Sequence, residues 1–143
     1  MHLTEHFTLE EMTTSETAAR QGIANIPDEP ATNNLLRLCA LLEQVRSLVG
    51  RPVLISSGYR SPAVNKIVGG SINSKHCLGL AADIIVPGFT ASRLAHAISD
   101  SSLSFDQLIL EYDQWVHLGL SDGPLRRQVM TIRSGTGYLQ GLS

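Results

Sequence analysis

The 143-residue sequence predicts an α+β fold in a single compact domain, because helices come first and strands follow with one helix between them. Two patterns support this class. Residues 31–49 have the apolar period of an amphipathic helix, and residues 105–120 contain two strand-like runs around a short turn. We therefore expect residues 1–143 to form one domain, with a small, mostly antiparallel sheet packed against helices.

Short helices are expected before residue 22. Thr8 and Glu11 have the spacing of a capping box, which predicts a helix over residues 9–12, and residues 15–20 add a further turn. Residues 27–30 begin and end with proline, so this segment is expected to be a linker within the domain.

The most regular helical pattern occupies residues 31–49. Thr32 or Asn33 is the expected N-cap, and Gly50 is the expected end of the helix. Apolar residues recur at every third or fourth position, which predicts a helix that covers a sheet: Leu35, Leu38, Leu42, Val45 and Val49.

Three further segments complete the first 100 residues. Residues 52–57 are apolar and β-branched, which predicts a strand, and Thr90 is expected to cap a helix that reaches Ile98. Between them, residues 58–74 are polar and irregular. Because a loop of that length in a compact domain is usually functional or disordered, we expect it to form a substrate-binding rim.

The last third of the chain predicts strands. Residues 105–112 and 115–120 read as a hairpin around a tight turn at Asp113 and Gln114, which brings Glu111 close to His117. Residues 129–133 are expected to form a final edge strand. Residues 134–143 are expected to be a loose tail.

Composition excludes several classes of function. The net charge is −2 and only 17% of residues are charged, so no basic surface is expected to bind nucleic acid. No signal-peptide pattern and no run of 18 apolar residues is found, so we expect synthesis in the cytoplasm and no membrane insertion. We also expect a monomer. Cys39 and Cys77 form neither a disulfide framework nor a CxxC motif, and both are expected to be free thiols.

Three residues have the side chains of a metal site. His76 precedes Asp83 and the apolar run 84–86, and His117 follows on a later strand. Two nitrogen ligands and one carboxylate describe a zinc site with an open fourth position, as in catalytic zinc centres. The residues alone leave another interpretation open, in which His76 only caps a helix or packs in the core and Asp83 is only a turn residue at the end of a strand.

Several short motifs resemble the M15 class of zinc peptidases, which includes D-Ala-D-Ala carboxypeptidases and the phage and bacterial enzymes that cut peptidoglycan peptides. The resemblance covers roughly residues 4–133, including the segment 7–12 that recurs in small phage-type members. The most specific motifs are the Ser-x-His-x6-Asp block and the Trp-x-His strand. The motifs comprise residues 56–62, Asn65, residues 69–71, Ser74, His76, Gly79, Ala81, Asp83 and residues 115–117.

This resemblance implies the Hedgehog/D-Ala-D-Ala-peptidase fold and one Zn²⁺ per chain held by His76, Asp83 and His117. It also implies that Ser74 contacts the substrate. Arg60 would face the scissile carbonyl or a substrate carboxylate, where a fixed positive charge stabilises a developing oxyanion.

Three more residues of the same motifs are expected to bind the substrate. They are Tyr59, Asn65 and Trp115. The expected partner is a peptidoglycan peptide.

One position departs from the family pattern. Many members have an acidic general base three residues before the last histidine, and here that residue is Gln114. An amide cannot accept a proton from water, so the remaining candidates are Glu111 and Asp113. We expect Glu111 to be the base, because the turn should leave Asp113 at the hairpin tip.

Two functions are consistent with this sequence. The first is a zinc peptidase that hydrolyses an amide bond in peptidoglycan stem peptides or cross-links, of phage or prophage origin, acting on the wall after release or within a virion. The second is a catalytically impaired, zinc-containing module that binds wall peptide. The choice between carboxypeptidase and endopeptidase remains open.

Overall fold

Most α-helices lie in the first half of the chain, and most strands lie in the second. The computed structural model describes residues 1–143. The helices are α1 (Leu9–Thr13), α2 (Glu16–Gln21), α3 (Glu29–Val49), α4 (Pro62–Ile67) and α5 (Ala91–Ser99), with a 3₁₀ helix at Lys75–Leu78. The strands are β1 (Leu54–Ser57), β2 (Ala81–Ile85), β3 (Gln107–Glu111), β4 (Trp115–Gly119), β5 (Gln128–Arg133) and β6 (Gly137–Gln140). This architecture confirms the α+β prediction.

The six strands form one mixed sheet in the order β1-β2-β4-β3-β5-β6. Only β3 and β5 are parallel, so the expectation of a mostly antiparallel sheet is confirmed. Asp83 is paired with Ser57 on one side and with His117 on the other. Because paired residues project to the same face of a sheet, these three side chains share one face.

The opposite face of the sheet packs against α3 and α5 and forms the core. Each fully buried aliphatic side chain contributes about 1.5–3 kcal/mol through the hydrophobic effect. The sheet contributes Ala82, Ile84, Leu108, Leu110, Val116 and Leu118, and the helices contribute Leu35, Leu38, Leu42, Val45, Leu94 and Ile98. None of the helices combines the length and the apolar character needed to cross a membrane.

The long helix begins earlier than its apolar period indicates. Its N-cap is Asp28, whose carboxylate accepts a hydrogen bond from the Ala31 N–H at 2.9 Å, and not Thr32 or Asn33. Residues 27–30 are therefore not a linker. Pro30 fits the first turn because the N–H that proline lacks would have no intrahelical partner there.

The segment 58–74 contains a helix that the sequence analysis missed. Ser61 caps α4 by accepting a hydrogen bond from the Val64 N–H at 3.2 Å, and Pro62 occupies the first turn. The two short N-terminal helices are confirmed, including the capping box between Thr8 and Glu11.

The C-terminal expectations are wrong in two respects. Strand β5 is not an edge strand, because β6 pairs with its outer side, and the segment expected to be a loose tail contains β6. Hydrogen bonds hold this tail to the sheet: Thr131 Oγ1 donates to the Gly141 carbonyl at 2.7 Å, and Arg133 donates to the Ser143 carbonyl at 2.7 Å.

Candidate active site

His76, Asp83 and His117 come together on the sheet face that the helices do not cover. One oxygen of Asp83, Oδ1, lies 3.4 Å from His76 Nε2 and 3.1 Å from His117 Nδ1. The three candidate ligand atoms all lie within 4.8 Å of one another. The side chains are largely removed from solvent, with relative exposures of 3%, 7% and 9%.

Two local structures position these residues. The register of β2 against β4 places Asp83 directly opposite His117. His76 lies on the 3₁₀ helix, where Ser74 Oγ accepts its backbone N–H at 3.2 Å. Gly79 ends that helix with φ of +74°, and a Cβ there would collide with the Ala31 carbonyl of α3. Glycine therefore permits the close approach that holds the 3₁₀ helix against α3.

A backbone carbonyl orients the first histidine. His76 Nδ1 lies 2.8 Å from the Gly58 carbonyl oxygen, which can only accept a hydrogen bond. Nδ1 therefore donates to this carbonyl, and Nε2 is the ring nitrogen that faces Asp83 and can bind a metal once it has no proton. Histidines that bind metals are held in this way by a hydrogen bond at the second ring nitrogen.

Two of the three donor separations fit zinc. Bonds of 2.0–2.1 Å in tetrahedral geometry separate ligand atoms by about 3.3 Å, which agrees with the 3.1 Å and 3.4 Å separations here. Two nitrogens and one oxygen suit zinc better than magnesium or calcium, which prefer shells of oxygen. Cys77 is not a member of this group, and both cysteines are free thiols as expected.

Asp83 is ionised in this setting. Burial alone would raise its pKa, but hydrogen bonds from His117 and His76 outweigh burial and hold the pKa well below the usual range. The carboxylate therefore has the charged form that a metal ligand requires.

Arg60 lies beside the cluster and is fixed by its neighbours. Its Nη2 is 3.8 Å from Asp83 Oδ2, and its Nε donates to Ser57 Oγ at 3.2 Å. Its Nη1 donates to Asn65 Oδ1 at 3.0 Å, while the Asn65 amide donates to the Ser71 carbonyl at 2.8 Å. Asn65 is only 4% exposed and lies behind Arg60, so it positions the arginine and is not placed to contact a substrate.

Two other expected substrate contacts have different surroundings. Tyr59 is 6% exposed within the hydrophobic core, and it borders a neighbouring hollow with α2 and α4 instead of the metal cluster. Trp115 directs its indole N–H to Glu111 Oε1 at 3.0 Å. Tyr59 is therefore a core residue, and Trp115 positions a carboxylate.

The structure separates the two candidate carboxylates. Ile109 on β3 is paired with His117, and Glu111 lies two residues further along the same strand. The side chains of Glu111 and His117 therefore share a face of the sheet. Burial and the negative charge of Asp83 raise the pKa of Glu111, and His117 and the Trp115 N–H oppose this shift in part. Asp113 is exposed and binds Arg133 through two contacts of 2.8 Å, which lower the pKa of Asp113.

The hairpin turn between β3 and β4 lies one residue earlier in the chain than expected. Its central residues are Tyr112 and Asp113, both with φ of +55°, and the Gln114 N–H donates to the Glu111 carbonyl at 3.0 Å. Positive φ at both central residues is the requirement of a type I′ hairpin turn. Gln114 is exposed and does not line the site.

A polar cleft of about 430 Å³ lies over the cluster. We call it the cleft. It is lined by Arg60, residues 69–71 and 73–75, the β3 residues Gln107, Ile109 and Glu111, and, from the C-terminal region, Arg126 and Tyr138. Ser74, the expected substrate contact, and Arg60, the expected oxyanion-stabilising residue, both line the cleft. Arg126 and Tyr138 were missed, because no motif marks them and the tail was expected to be loose.

The comparison with protein families agrees with this geometry. The family model described as Peptidase M15 matches residues 5–119, which include the whole cluster, Arg60 and Glu111. The chain belongs to the M15 peptidase family. Members of this family are zinc peptidases, and the His-Asp-His cluster is where this M15 peptidase could hold its metal ion. No curated protein matches the chain. Strands β5 and β6 lie beyond the matched residues.

Proposed function

We propose that this M15 peptidase is a zinc enzyme that hydrolyses an amide bond in peptidoglycan stem peptides or cross-links. One zinc ion per chain is held by His76, Asp83 and His117. The observation that supports this most strongly is the separation of their donor atoms, 3.1 Å and 3.4 Å, at the base of a polar cleft in a chain of a peptidase family.

A bound zinc ion supplies Lewis acidity, which polarises the scissile carbonyl and lowers the pKa of a water molecule. Glu111 is the general base, which accepts a proton from the attacking water and later returns it to the leaving amine. Its carboxylate lines the cleft and is held by the Trp115 indole N–H, so its position does not depend on the substrate. A base that is held in place before the substrate binds loses less entropy in the reaction.

Arg60 supplies positive charge to the substrate. Its guanidinium is held by Ser57 and Asn65 and reaches the cleft close to Asp83. A fixed cation at this position stabilises the oxyanion that develops at the scissile carbonyl, or it binds a substrate carboxylate. Ser74 lies on the wall of the cleft next to His76 and contacts the bound peptide.

The protein acts on the cell wall as a monomer, after release through a holin-like partner or as part of a virion. A phage or prophage origin is supported by the segment 7–12, which is similar to the opening of small phage-type members. That segment includes the first capped helix, α1.

A second candidate function is a zinc-containing module that binds wall peptide without cleaving it. Gln114 favours this candidate, because many related sequences have an acidic residue at that position. The geometry favours the enzyme, since Glu111 and not residue 114 lines the cleft.

Incubation of the purified protein with peptidoglycan sacculi separates the two candidates. The enzyme releases new amines, and mass spectrometry of the muropeptides identifies the bond: loss of D-Ala indicates a carboxypeptidase, and conversion of cross-linked dimers to monomers indicates an endopeptidase. A binding module sediments with the sacculi but releases no amine, and that result would contradict the proposed function.

A further inference from the structure

The last two strands contribute to the cleft although they lie beyond the family match. Strand β5 lies parallel to β3, with Ile132 paired to Glu111, and β6 lies antiparallel to β5, with Tyr138 paired to Ile132. Paired residues project to the same face, so Tyr138 lies in one row with Glu111 on the cleft side of the sheet. Tyr138 lines the same cleft as His117 and Arg60.

Tyr138 and Arg60 lie at opposite ends of this cleft. Arg60 binds Ser57 on β1, the first strand of the sheet, and Tyr138 is on β6, the last. Asp83, His117 and Glu111 lie on the strands between them. Three strand spacings, about 14 Å, separate the backbones of His117 and Tyr138.

The Tyr138 hydroxyl is available to a ligand. It makes no hydrogen bond within the protein, and the residue is 60% exposed. Partial burial and the nearby charge of Glu111 raise the pKa of Tyr138, so the hydroxyl stays protonated and can donate. The cleft therefore has a hydrogen-bond donor without a partner at the end away from Arg60.

We propose that Tyr138 is a substrate-binding residue whose hydroxyl donates a hydrogen bond to an oxygen of the bound peptide. The contact lies on the β6 side of the cleft, near Glu111 and away from Arg60. The β5–β6 hairpin thereby adds a substrate contact to the cleft from residues beyond the family match. This inference rests on the proposed function, because it takes a peptide to be the ligand of the cleft.

Substitution of Tyr138 by phenylalanine tests this role, since it removes only the hydroxyl and keeps the ring. Tyr112→Phe is the matched control, because Tyr112 is also exposed but lies at the hairpin tip outside the cleft. Loss of one neutral hydrogen bond to the substrate raises KM about 3-fold to 10-fold. A contact made equally in the ground state and the transition state leaves kcat unchanged.

The experiment uses purified muropeptides that carry a full stem peptide, with zinc content and Tm measured for each variant. We expect KM to rise in Tyr138→Phe and to stay at the parent value in Tyr112→Phe. Equal KM values in Tyr138→Phe and the parent, or an equal rise in both variants, would overturn the inference.

A binding measurement separates this inference from the proposed function. The Kd for the same muropeptides is measured by calorimetry in the Glu111→Gln background, with and without Tyr138→Phe. A parent that binds the muropeptides without turnover contradicts the proposed function, whereas the Kd comparison still tests Tyr138. An unchanged Kd after removal of the hydroxyl overturns the Tyr138 assignment, and a 3-fold to 10-fold weaker Kd supports it.

Discussion

The two faces of the sheet are built from alternate residues of the same strands, and they differ completely in character. Toward α3 and α5, Ile84, Leu110 and Val116 are fully buried among apolar side chains. Toward the cleft, the adjacent residues in sequence include Asp83 and Glu111, which are polar and hydrogen-bonded. One face supplies stability, and the other holds the residues of the candidate site.

This difference shows how the strands keep the side chains of the candidate site in fixed positions. Side chains alternate along a strand, so a shift of one residue in register would exchange the two faces. Burial of the apolar face makes such a shift costly, and the pairing of Asp83 with His117 is thereby kept constant. Substitutions on the two faces should therefore have separable effects on stability and on turnover.

The largest separable effect is expected at Glu111, on the cleft face. Glu111→Gln should keep the fold and the metal, because the amide oxygen can still accept the Trp115 N–H. Turnover should fall roughly 100-fold to 10,000-fold, since an amide cannot act as a base. Steady-state kinetics on muropeptides measures this change.

Asp113→Asn is the matched control for Glu111, because Asp113 lies two residues away but is exposed and paired with Arg133. It should be nearly silent in the same assay. If Asp113→Asn abolished turnover and Glu111→Gln did not, the base would be assigned to the wrong carboxylate.

The opposite effect is expected at Leu110, the residue before Glu111. Leu110→Ala leaves a cavity on the fully buried face and should lower the free energy of unfolding by about 2–5 kcal/mol. Turnover per folded molecule should remain close to the parent value. Denaturant titration and active-site normalised kinetics measure the two quantities, and a large loss of turnover per folded molecule would show that the faces are not independent.

A smaller loss of turnover is expected at Arg60. Arg60→Ala should retain zinc and fold but lower kcat/KM by about 100-fold or more, the usual cost of one oxyanion-stabilising group. Asn65→Ala should have a weaker effect in the same direction, because the 3.0 Å hydrogen bond only positions the arginine. If Arg60→Ala had the kcat/KM of the parent, Arg60 would be a surface charge without a role in the reaction.

The smallest effect is expected at Trp115. Trp115→Phe removes an N–H that stabilises the charged form of Glu111, so the pKa of Glu111 should rise further. A base works only when deprotonated, so activity is lost as the pH falls through that pKa. The acid limb of the kcat/KM profile should therefore lie at higher pH than in the parent. A limb at the same pH as in the parent would show that the Trp115 hydrogen bond does not set the pKa of Glu111.

Sequence patterns predicted the parts of this molecule that depend on local periodicity or on short motifs. The apolar period predicted α3, and the alternation of residues 105–120 predicted the hairpin that carries Glu111 and His117. Strand β6 could not be predicted in the same way, because all four of its residues are exposed and show no alternation. Helix α4 has only six residues, too few for an apolar period.

The functions of individual side chains depended on contacts that no spacing encodes. Asn65 belongs to a family-like motif, but only the fold shows that its amide lies between Arg60 and the Ser71 carbonyl. Tyr59 lies in the same motif as Arg60, yet its ring is in the core. Tyr138 lines the cleft because β6 pairs with β5, and the sequence predicted a loose tail for this segment.

The most direct test of the proposed site is the metal content of the purified protein and of three single variants. The donor geometry predicts about one zinc per chain in the parent and in Glu111→Gln, and its loss in His76→Ala, Asp83→Ala and His117→Ala, each still folded by circular dichroism. A parent that binds no zinc, or full retention of zinc in all three variants, would contradict the assignment of this cluster as the metal centre.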